Sequence, residues 1–532
     1  MRMPLLISLF FVACSSGGGG DGKGGGPGGG DGGDDTGDTG EPTPAEDPVL
    51  AMGLVPLPAT VVPGDGELLL SATTTLRASG DATAIATLLA ESLRTPTGLA
   101  LTVGAGTAES GDISLVLDPT ADLGDEAYTL SITAEGAVLT AAQPAGLFYA
   151  TQTLRQLLPA EALSPASAAD VAWVLPVVEI EDAPTYPWRG GMIDVARHFF
   201  DTAAVRRQID LFALHKLNRM HLHLTDDQGW RIEIKSWPDL AIIGGVTEVG
   251  GGVGGYYTQD EYTALVDYAA ARHVMIIPEI DFPGHAHAAL TAYGVLNPSG
   301  EPEEPYTGAP VITTPLDLDR PETWDMVEDV WTEIGALTPG PYLHVGGDEA
   351  IDVNTAEYSI FIEWLQELVD DQDKLLIGWD EIGEAELSPP YVAQYWWQTD
   401  LAKDAGASGA YLIHSYASEC YLDMVYDGDG EYGQVWAGWV GLKKAYSCRP
   451  GLGGVDPDRW LGVEGPLWTE YIADEDQMDF MLWPRLSAIA EVGWTPGAQL
   501  EWEGLTARLA HHGPRLEAIG VAFNATDDVD WD

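Results

Sequence analysis

From residue 186 onward the chain alternates between short apolar runs and longer amphipathic stretches. Apolar runs fall at 191–196, 220–225, 275–281, 342–346, 374–379, 391–396, 411–415 and 462–468. Between or after them lie stretches with helical periodicity at 203–217, 260–272, 321–337, 356–369 and 480–493. Thr258 and Glu261 form a capping-box pattern at the start of one of these. Near-continuous apolar runs are the mark of strands buried on both faces, and eight of them separated by helices predict a (β/α)8 TIM barrel. An open doubly wound sheet fits less well, because no Gly-x-Gly-x-x-Gly opens a helix after the first run.

Upstream, residues 54–182 show shorter, turn-bounded runs at 67–71, 113–117, 128–133 and 137–141, read as strands. Two stretches carry a one-sided apolar stripe: 82–94, with Ile85, Leu88, Leu89 and Leu93, and 146–158, with Leu147, Tyr149, Leu154 and Leu157. This predicts a small α/β domain, and its lack of clustered catalytic residue types suggests a packing role. The expected organisation is a targeting segment at 1–14, a tether at 15–50, the α/β domain at 51–183 and the barrel at 184–524.

The targeting segment has Arg2, then an apolar stretch over 4–13 that is too short to span a bilayer as a helix. It ends in Phe11-Val12-Ala13-Cys14. That resembles a bacterial lipoprotein signal, which implies lipidation of Cys14 and a place in the cell envelope, as an outer-membrane lipoprotein. Phe11 departs from the usual Leu, and ordinary secretion is the alternative. In 17–40, 15 of 24 residues are Gly, the composition of a flexible leash.

With 532 residues, 45% hydrophobic and 20% charged, the chain can bury a sizeable core. Its formal net charge is −59, from 24 Lys+Arg against 83 Asp+Glu. So few cations argue against nucleic-acid binding and polybasic membrane attachment, both of which need clustered Lys and Arg. Any membrane contact is expected only through the anchor at Cys14. Of the remaining cysteines, Cys420 and Cys448 are candidates for a disulfide in an oxidising compartment, with two buried free thiols as the alternative.

In a barrel of this kind function sits at the carboxyl ends of the strands. There the runs end in Asp194-Val195-Ala196-Arg197-His198, Thr225-Asp226-Asp227, Glu279 to His285, Gly346-Gly347-Asp348-Glu349, Trp379-Asp380-Glu381, Trp396-Trp397 and Trp468-Thr469-Glu470. Carboxylates, Arg, His and Trp thus gather at one rim. The chain has 18 Trp, and indoles left at a wet rim are unfavourable unless a ligand covers them. A pyranose has an apolar C–H face, so Trp379, Trp396, Trp397 and Trp468 are candidates for stacking on sugar. Asp348 and Glu349 are adjacent, which is expected to raise one carboxyl pKa and favour a protonated acid. The bland reading of the pair is a helix cap; the two preceding glycines favour a tight turn into a pocket.

The blocks Trp188–Phe200, His221–Arg231, Pro278–His285 and His344–Glu349 resemble the signatures of glycoside hydrolase family 20, the β-N-acetylhexosaminidases, in order over about 186–496. The preceding α/β domain resembles the one that accompanies this barrel. The resemblance implies an exo-acting, retaining glycosidase with no cofactor, acting on oligosaccharides that end in β-linked N-acetylglucosamine or N-acetylgalactosamine. The substrate's 2-acetamido oxygen is then the nucleophile. It implies Glu349 as general acid and then base, Asp348 as the partner of the acetamido nitrogen, and Asp226 and His285 as a pair coupled to the acid. Arg197 would grip O3 and O4, while Trp379, Trp396 and Trp468 wall the acetamide and the ring. Tyr421 would donate to the acetamido oxygen, with Asp423 and Glu470 near O4 and O6. Tyr416 and Tyr426 are alternatives to Tyr421, because the Gly-rich region 428–454 blurs the alignment. The loop after Glu349 reads as short, which implies an open leaving-group side.

Two rivals come from other classes. His221-x-His223 and His285-x-His287 have spacing suited to a metal-dependent hydrolase, although His344 and His414 do not complete a ligand set. An inactive sugar-binding barrel would not need Glu349, Asp348 or the Asp226–His285 pair.

Overall fold

The computed structural model describes residues 47–312, 314–428 and 430–531. Cys14, its apolar stretch and the Gly-rich tether lie outside the described residues. Among the described residues no helix is long and apolar enough to cross a membrane.

Eight parallel strands close into a barrel: β1 (Trp188–Asp194), β2 (Arg219–His223), β3 (Met275–Glu279), β4 (Tyr342–His344), β5 (Leu375–Trp379), β6 (Val392–Tyr395), β7 (Tyr411–His414) and β8 (Trp460–Leu467), with β8 pairing back onto β1. All eight expected strands are present, with ends shifted by a few residues. Helices Thr202–Leu214, Gln259–Ala270, Pro321–Leu337 and Thr355–Asp370 lie where the periodicity places them. The Thr258–Glu261 capping box is formed. The expected single helix at 480–493 is two helices, Glu475–Leu482 and Arg485–Trp494. Pro484 stands at the break, where a missing N–H and a bulky ring stop one helix from running into the next.

Besides several helices of four to six residues, two longer barrel helices were not anticipated. Thr399–Ser408 buries only Ala402 and Ala405, too little to register as a stripe. Trp502–Ile519 buries Arg508, His512 and Arg515 among its leucines, so polar residues on the inner face hide its period. Arg508 pairs with Glu491, Nη1 to Oε2 at 2.5 Å, and Arg515 Nη1 donates to the Gly53 carbonyl at 2.9 Å. These bonds hold the helix against the barrel and the domain junction.

The α/β domain is a seven-stranded mixed sheet in the order Thr60–Leu69, Val174–Asp182, Tyr128–Thr133, Gly136–Ala141, Asp112–Leu117, Thr75–Arg77, Thr102–Gly104. Helices Ala82–Thr97 and Pro144–Leu157 bury Ile85, Leu89, Leu93, Leu147 and Leu154. Strand Val174–Asp182 and the two shortest strands escaped the sequence reading.

Buried charge joins this domain to the barrel. Arg189 of β1 donates to both Glu126 oxygens at 2.9 and 3.0 Å, and Asn218, just before β2, donates to Glu126 at 3.1 Å. Lys216 Nζ meets Asp182 at 2.8 Å, and Trp494 Nε1 donates to the same carboxylate at 2.9 Å. Arg189, Lys216 and Asn218 all lie at or before the amino ends of their strands. The small domain therefore braces the end of the barrel opposite the rim of catalytic residue types.

Candidate active site

The site begins with the turn after β4. Gly346 and Gly347 adopt φ of +68° and +94°. A Cβ at Gly346 would fall 1.9 Å from Asp281 Oδ1, so a side chain there is excluded by space as well as by conformation. Gly347 N–H donates to Asp281 Oδ1 at 3.0 Å and its carbonyl accepts from Tyr358 Oη at 2.6 Å. The turn delivers Asp348, buried, and Glu349, whose side chain is 35% exposed. The next helix is capped by Asn354 instead, so the acidic pair is not a helix cap. Glu349 and His285 hold positive φ, +46° and +50°, a cost that non-glycine residues carry where surrounding structure over-determines them.

His285 stands between the acids. Its Nε2 lies 3.6 Å from Asp348 Oδ2 and 3.6 Å from Glu349 Oε2, and its Nδ1 lies 3.4 Å from Asp226 Oδ1. Burial pulls the imidazole pKa down, but the Asp226 charge more than offsets this and holds it well above its ordinary value. Asp226 also receives Arg197 Nη2 at 2.6 Å and His223 Nε2 at 3.0 Å. Burial raises its carboxyl, yet Arg197 and His285 outweigh burial and keep it well below the usual range.

Asp348 behaves oppositely. Its carboxyl is pushed up to about 6, first by burial, with Glu279 and Glu349 adding to this against His285. The expected rise of one member of the pair falls on Asp348, and removal from water contributes more to it than the adjacent Glu349. Asp281, behind it, is raised well above its ordinary value by burial and then by Asp348.

The walls are aromatic. Trp379, Trp396, Trp468 and Tyr421 are buried. Trp379 lies 5.7 Å from Trp468 and 6.4 Å from Trp396 between ring centroids. Tyr421 stacks on Trp396 at 6.1 Å and 11°, and Trp468 is 6.2 Å away. Burial raises the Tyr421 hydroxyl well above its ordinary value, followed by the Asp348 charge, so it remains a donor. Tyr416 instead stacks on Tyr395, and Tyr426 donates to the Trp483 carbonyl at 3.1 Å. Of the three tyrosines, Tyr421 is the one seated against Trp396 and Trp468.

Asp423 and Glu470 complete the ring of polar groups with Arg197, whose guanidinium lies 4.9 Å over the Trp468 ring. Both Asp423 oxygens, Glu470 Oε2, Asp348 Oδ1 and Arg197 Nε are buried and make no hydrogen bond among the described residues. Burial and then the Glu470 charge raise Asp423 well above its ordinary value. Buried acceptors left unpaired are costly, and here they surround an aromatic cleft, which suits a ligand rich in hydroxyls. Cys420 and Cys448 form a disulfide beside Tyr421.

The structure also shows what the sequence reading did not assign. Glu279, at the end of β3, accepts from Trp379 Nε1 at 2.7 Å, pairs with His221 Nε2 at 3.0 Å and hydrogen-bonds His223. His221 Nδ1 reaches Glu464 at 2.9 Å. Burial lowers His221, but Glu279 and Glu464 lift it to about 9. Both imidazoles are thus engaged by buried carboxylates on two sides, and His287 is turned to the Glu304 carbonyl at 2.8 Å. Trp436, from the Gly-rich region, stands 46% exposed, 6.1 Å from Trp396 and 5.9 Å from Tyr421.

Two family models match: the catalytic domain of glycosyl hydrolase family 20 over residues 186–497, and domain 2 of the same family over 51–183. The chain is 41% identical over 416 residues to a beta-N-acetylhexosaminidase of Cellulomonas fimi, covering 77% of this chain and 82% of that one. Among solved structures, a GH20 beta-N-acetylhexosaminidase from Streptomyces coelicolor A3(2) superposes with a TM-score of 0.87 at 41% identity, covering 91% of this chain and 99% of the other. A mutant beta-hexosaminidase of Streptomyces plicatus in complex with its product GlcNAc matches with a TM-score of 0.87 at 41% identity, over 91% and 98% of the two chains.

Proposed function

The chain belongs to glycosyl hydrolase family 20, and from that premise we propose how its residues divide the work of a β-N-acetylhexosaminidase. The enzyme removes terminal β-linked N-acetylhexosamine, with the substrate's own acetamide as nucleophile. The observation that carries the assignment of roles is His285 standing between Asp226, 3.4 Å from its Nδ1, and the Asp348–Glu349 pair, both 3.6 Å from its Nε2, inside a cleft walled by Trp379, Trp396, Trp468 and Tyr421.

In the first half-reaction the acetamide oxygen attacks the anomeric carbon while the bond to the leaving oxygen breaks. That oxygen takes a proton from Glu349. Positive charge develops on the acetamide, and the buried Asp348 carboxylate faces it in a site where charge interactions are strong. Tyr421 donates to the acetamide oxygen and fixes its direction of approach. In the second half-reaction the Glu349 carboxylate takes a proton from water, whose oxygen attacks the anomeric carbon and expels the acetamide. Two displacements leave the β configuration intact. His285, held cationic by Asp226, faces Glu349 at 3.6 Å through both half-reactions.

Arg197, Asp423 and Glu470 bind the ring hydroxyls that define the terminal sugar, and Trp436 flanks the exit for the leaving group. N-acetylgalactosamine is accepted to the extent that Asp423 and Glu470 tolerate an axial O4. The partners that fit are chitin oligomers and glycans with a free non-reducing N-acetylhexosamine.

The test is a panel of chromogenic β-glycosides with and without the 2-acetamido group, run on wild type and Glu349→Gln. Wild type turns over only the acetamido sugars. Glu349→Gln loses at least about a hundredfold in kcat, the scale of one general acid–base group. Equal turnover of the plain glucoside overturns the proposal.

Cys14 is proposed as a lipid attachment site in the cell envelope, on the strength of the apolar segment ending at Ala13-Cys14 and the Gly-rich stretch after it. Detergent partitioning of wild type against Cys14→Ser, expressed in a bacterium, tests it. Equal partitioning into the aqueous phase contradicts the anchor.

A further inference from the structure

One large aromatic next to the cleft has no part in the chemistry above. Trp397 is 47% exposed, immediately after the wall residue Trp396. It is not a loose side chain. Asp380 Oδ2 accepts the backbone N–H groups of Trp396, Trp397 and Gln398 at 3.1, 3.0 and 2.9 Å. This carboxylate clamp fixes the turn that sends Trp396 inward and Trp397 outward. Tyr416 lies near-parallel to Trp397 at 6.5 Å and 20°, and Trp436 stands edge-on at 5.5 Å. The indole is therefore preorganised, half-exposed, and continuous with the aromatic wall of the pocket through Trp396 at 6.2 Å and Trp436.

An exposed apolar ring held this rigidly is costly unless something covers it in use. The occupant must reach Trp397 from a terminal sugar seated between Trp379, Trp396 and Trp468, and must offer an apolar face with hydroxyls at its edge. A further sugar of the same chain meets both conditions. We propose that Trp397 is the platform for the second sugar of the leaving group, so that the enzyme prefers β-linked N-acetylhexosamine oligomers of three or more residues over disaccharides. This rests on the reading of the pocket as the terminal-sugar site.

The experiment compares wild type and Trp397→Ala on N-acetylchitooligosaccharides of two, three and four residues. In wild type, kcat/KM rises from dimer to trimer. In Trp397→Ala the trimer-to-dimer ratio of kcat/KM falls about fivefold, the scale of one aromatic stacking contact, through KM and not kcat. Calorimetric binding of trimer and dimer in the Glu349→Gln background reads the same platform without turnover, and Kd for the trimer rises about fivefold when Trp397 is removed. An unchanged trimer-to-dimer ratio overturns the proposal. So does an equal loss on all lengths accompanied by a change in sedimentation, which would assign Trp397 to contact with a second copy of the chain. Loss of all acetamido-sugar turnover in wild type would instead refute the pocket reading, while the binding pair still decides the role of Trp397.

Discussion

Trp379 Nε1 donates to Glu279 Oε1 at 2.7 Å, so the indole that closes one wall of the cleft hangs from a carboxylate in the barrel core. The same carboxylate pairs with His221 and His223, and His223 continues to Asp226 at 3.0 Å. Pocket shape and the charge of the Asp226–His285 couple thus share one support. Burial raises Glu279, but His223, His344 and His221 together hold it well below its ordinary value. Its stabilising effect is accordingly present above the unfolded carboxyl value and lost as pH falls through the folded one.

Glu279→Gln leaves buried imidazolium groups short of an anion. It is expected to cost about 3 to 5 kcal/mol, the usual penalty for removing one partner of a buried pair. Chemical denaturation at pH 7 measures this. The milder Trp379→Phe removes only the indole N–H and part of the wall, and is expected to lower kcat/KM about tenfold, the equivalent of roughly 1.4 kcal/mol, with a smaller change in stability.

Asp348 has a folded value of about 6 against an ordinary value of 3.8. Because the folded value is the higher one, proton binding stabilises the fold below 3.8, and that benefit disappears as pH rises through 6. At pH 8 the ionised, buried carboxylate is a net cost on the order of 2 to 3 kcal/mol. Asp348→Asn is therefore expected to unfold later than wild type at pH 8 and to show little difference at pH 4. Thermal unfolding at the two pH values checks it.

The same residue must be ionised to face the developing charge. The acid limb of kcat/KM for wild type, which reports the free enzyme, is expected to fall as pH drops through about 6. Asp348→Asn loses about 10² to 10³ in kcat, the scale of one preorganised electrostatic group, and with it this limb. A pH–rate profile on a chromogenic N-acetylglucosaminide reads both.

Cys420 and Cys448 close a 28-residue separation that holds Tyr421, Asp423 and Trp436. Replacing both by Ser is expected to cost about 3 kcal/mol by freeing the unfolded chain, and to raise KM through the loosened Tyr421. Unfolding midpoint and KM, measured with and without a dithiol, check the two parts separately.

Much of this was legible in the sequence where chemistry and geometry are local. Gly346-Gly347-Asp348-Glu349 carries its own turn and its own acids, and the eight barrel runs are apolar because both faces of each strand are covered. Glu279 sat in plain view within a strand-end motif, but its meaning depends on His221, His223 and Trp379, brought together by β2–β3 pairing and barrel closure. Trp436 lies in a stretch of Gly and Asp with no period to place it. The strand Val174–Asp182 alternates buried and partly exposed positions with a Pro inside, and its place next to the first strand of its sheet, more than a hundred residues away, is a tertiary fact.

The central claim is that the acetamide oxygen of the substrate forms the first bond to the anomeric carbon, and successive fluorination of the acetyl methyl tests it most directly. Each fluorine withdraws electrons from that oxygen without changing the leaving group. The account predicts that kcat/KM falls stepwise from the acetyl to the mono-, di- and trifluoroacetyl glycosides. A rate independent of fluorine number would contradict it.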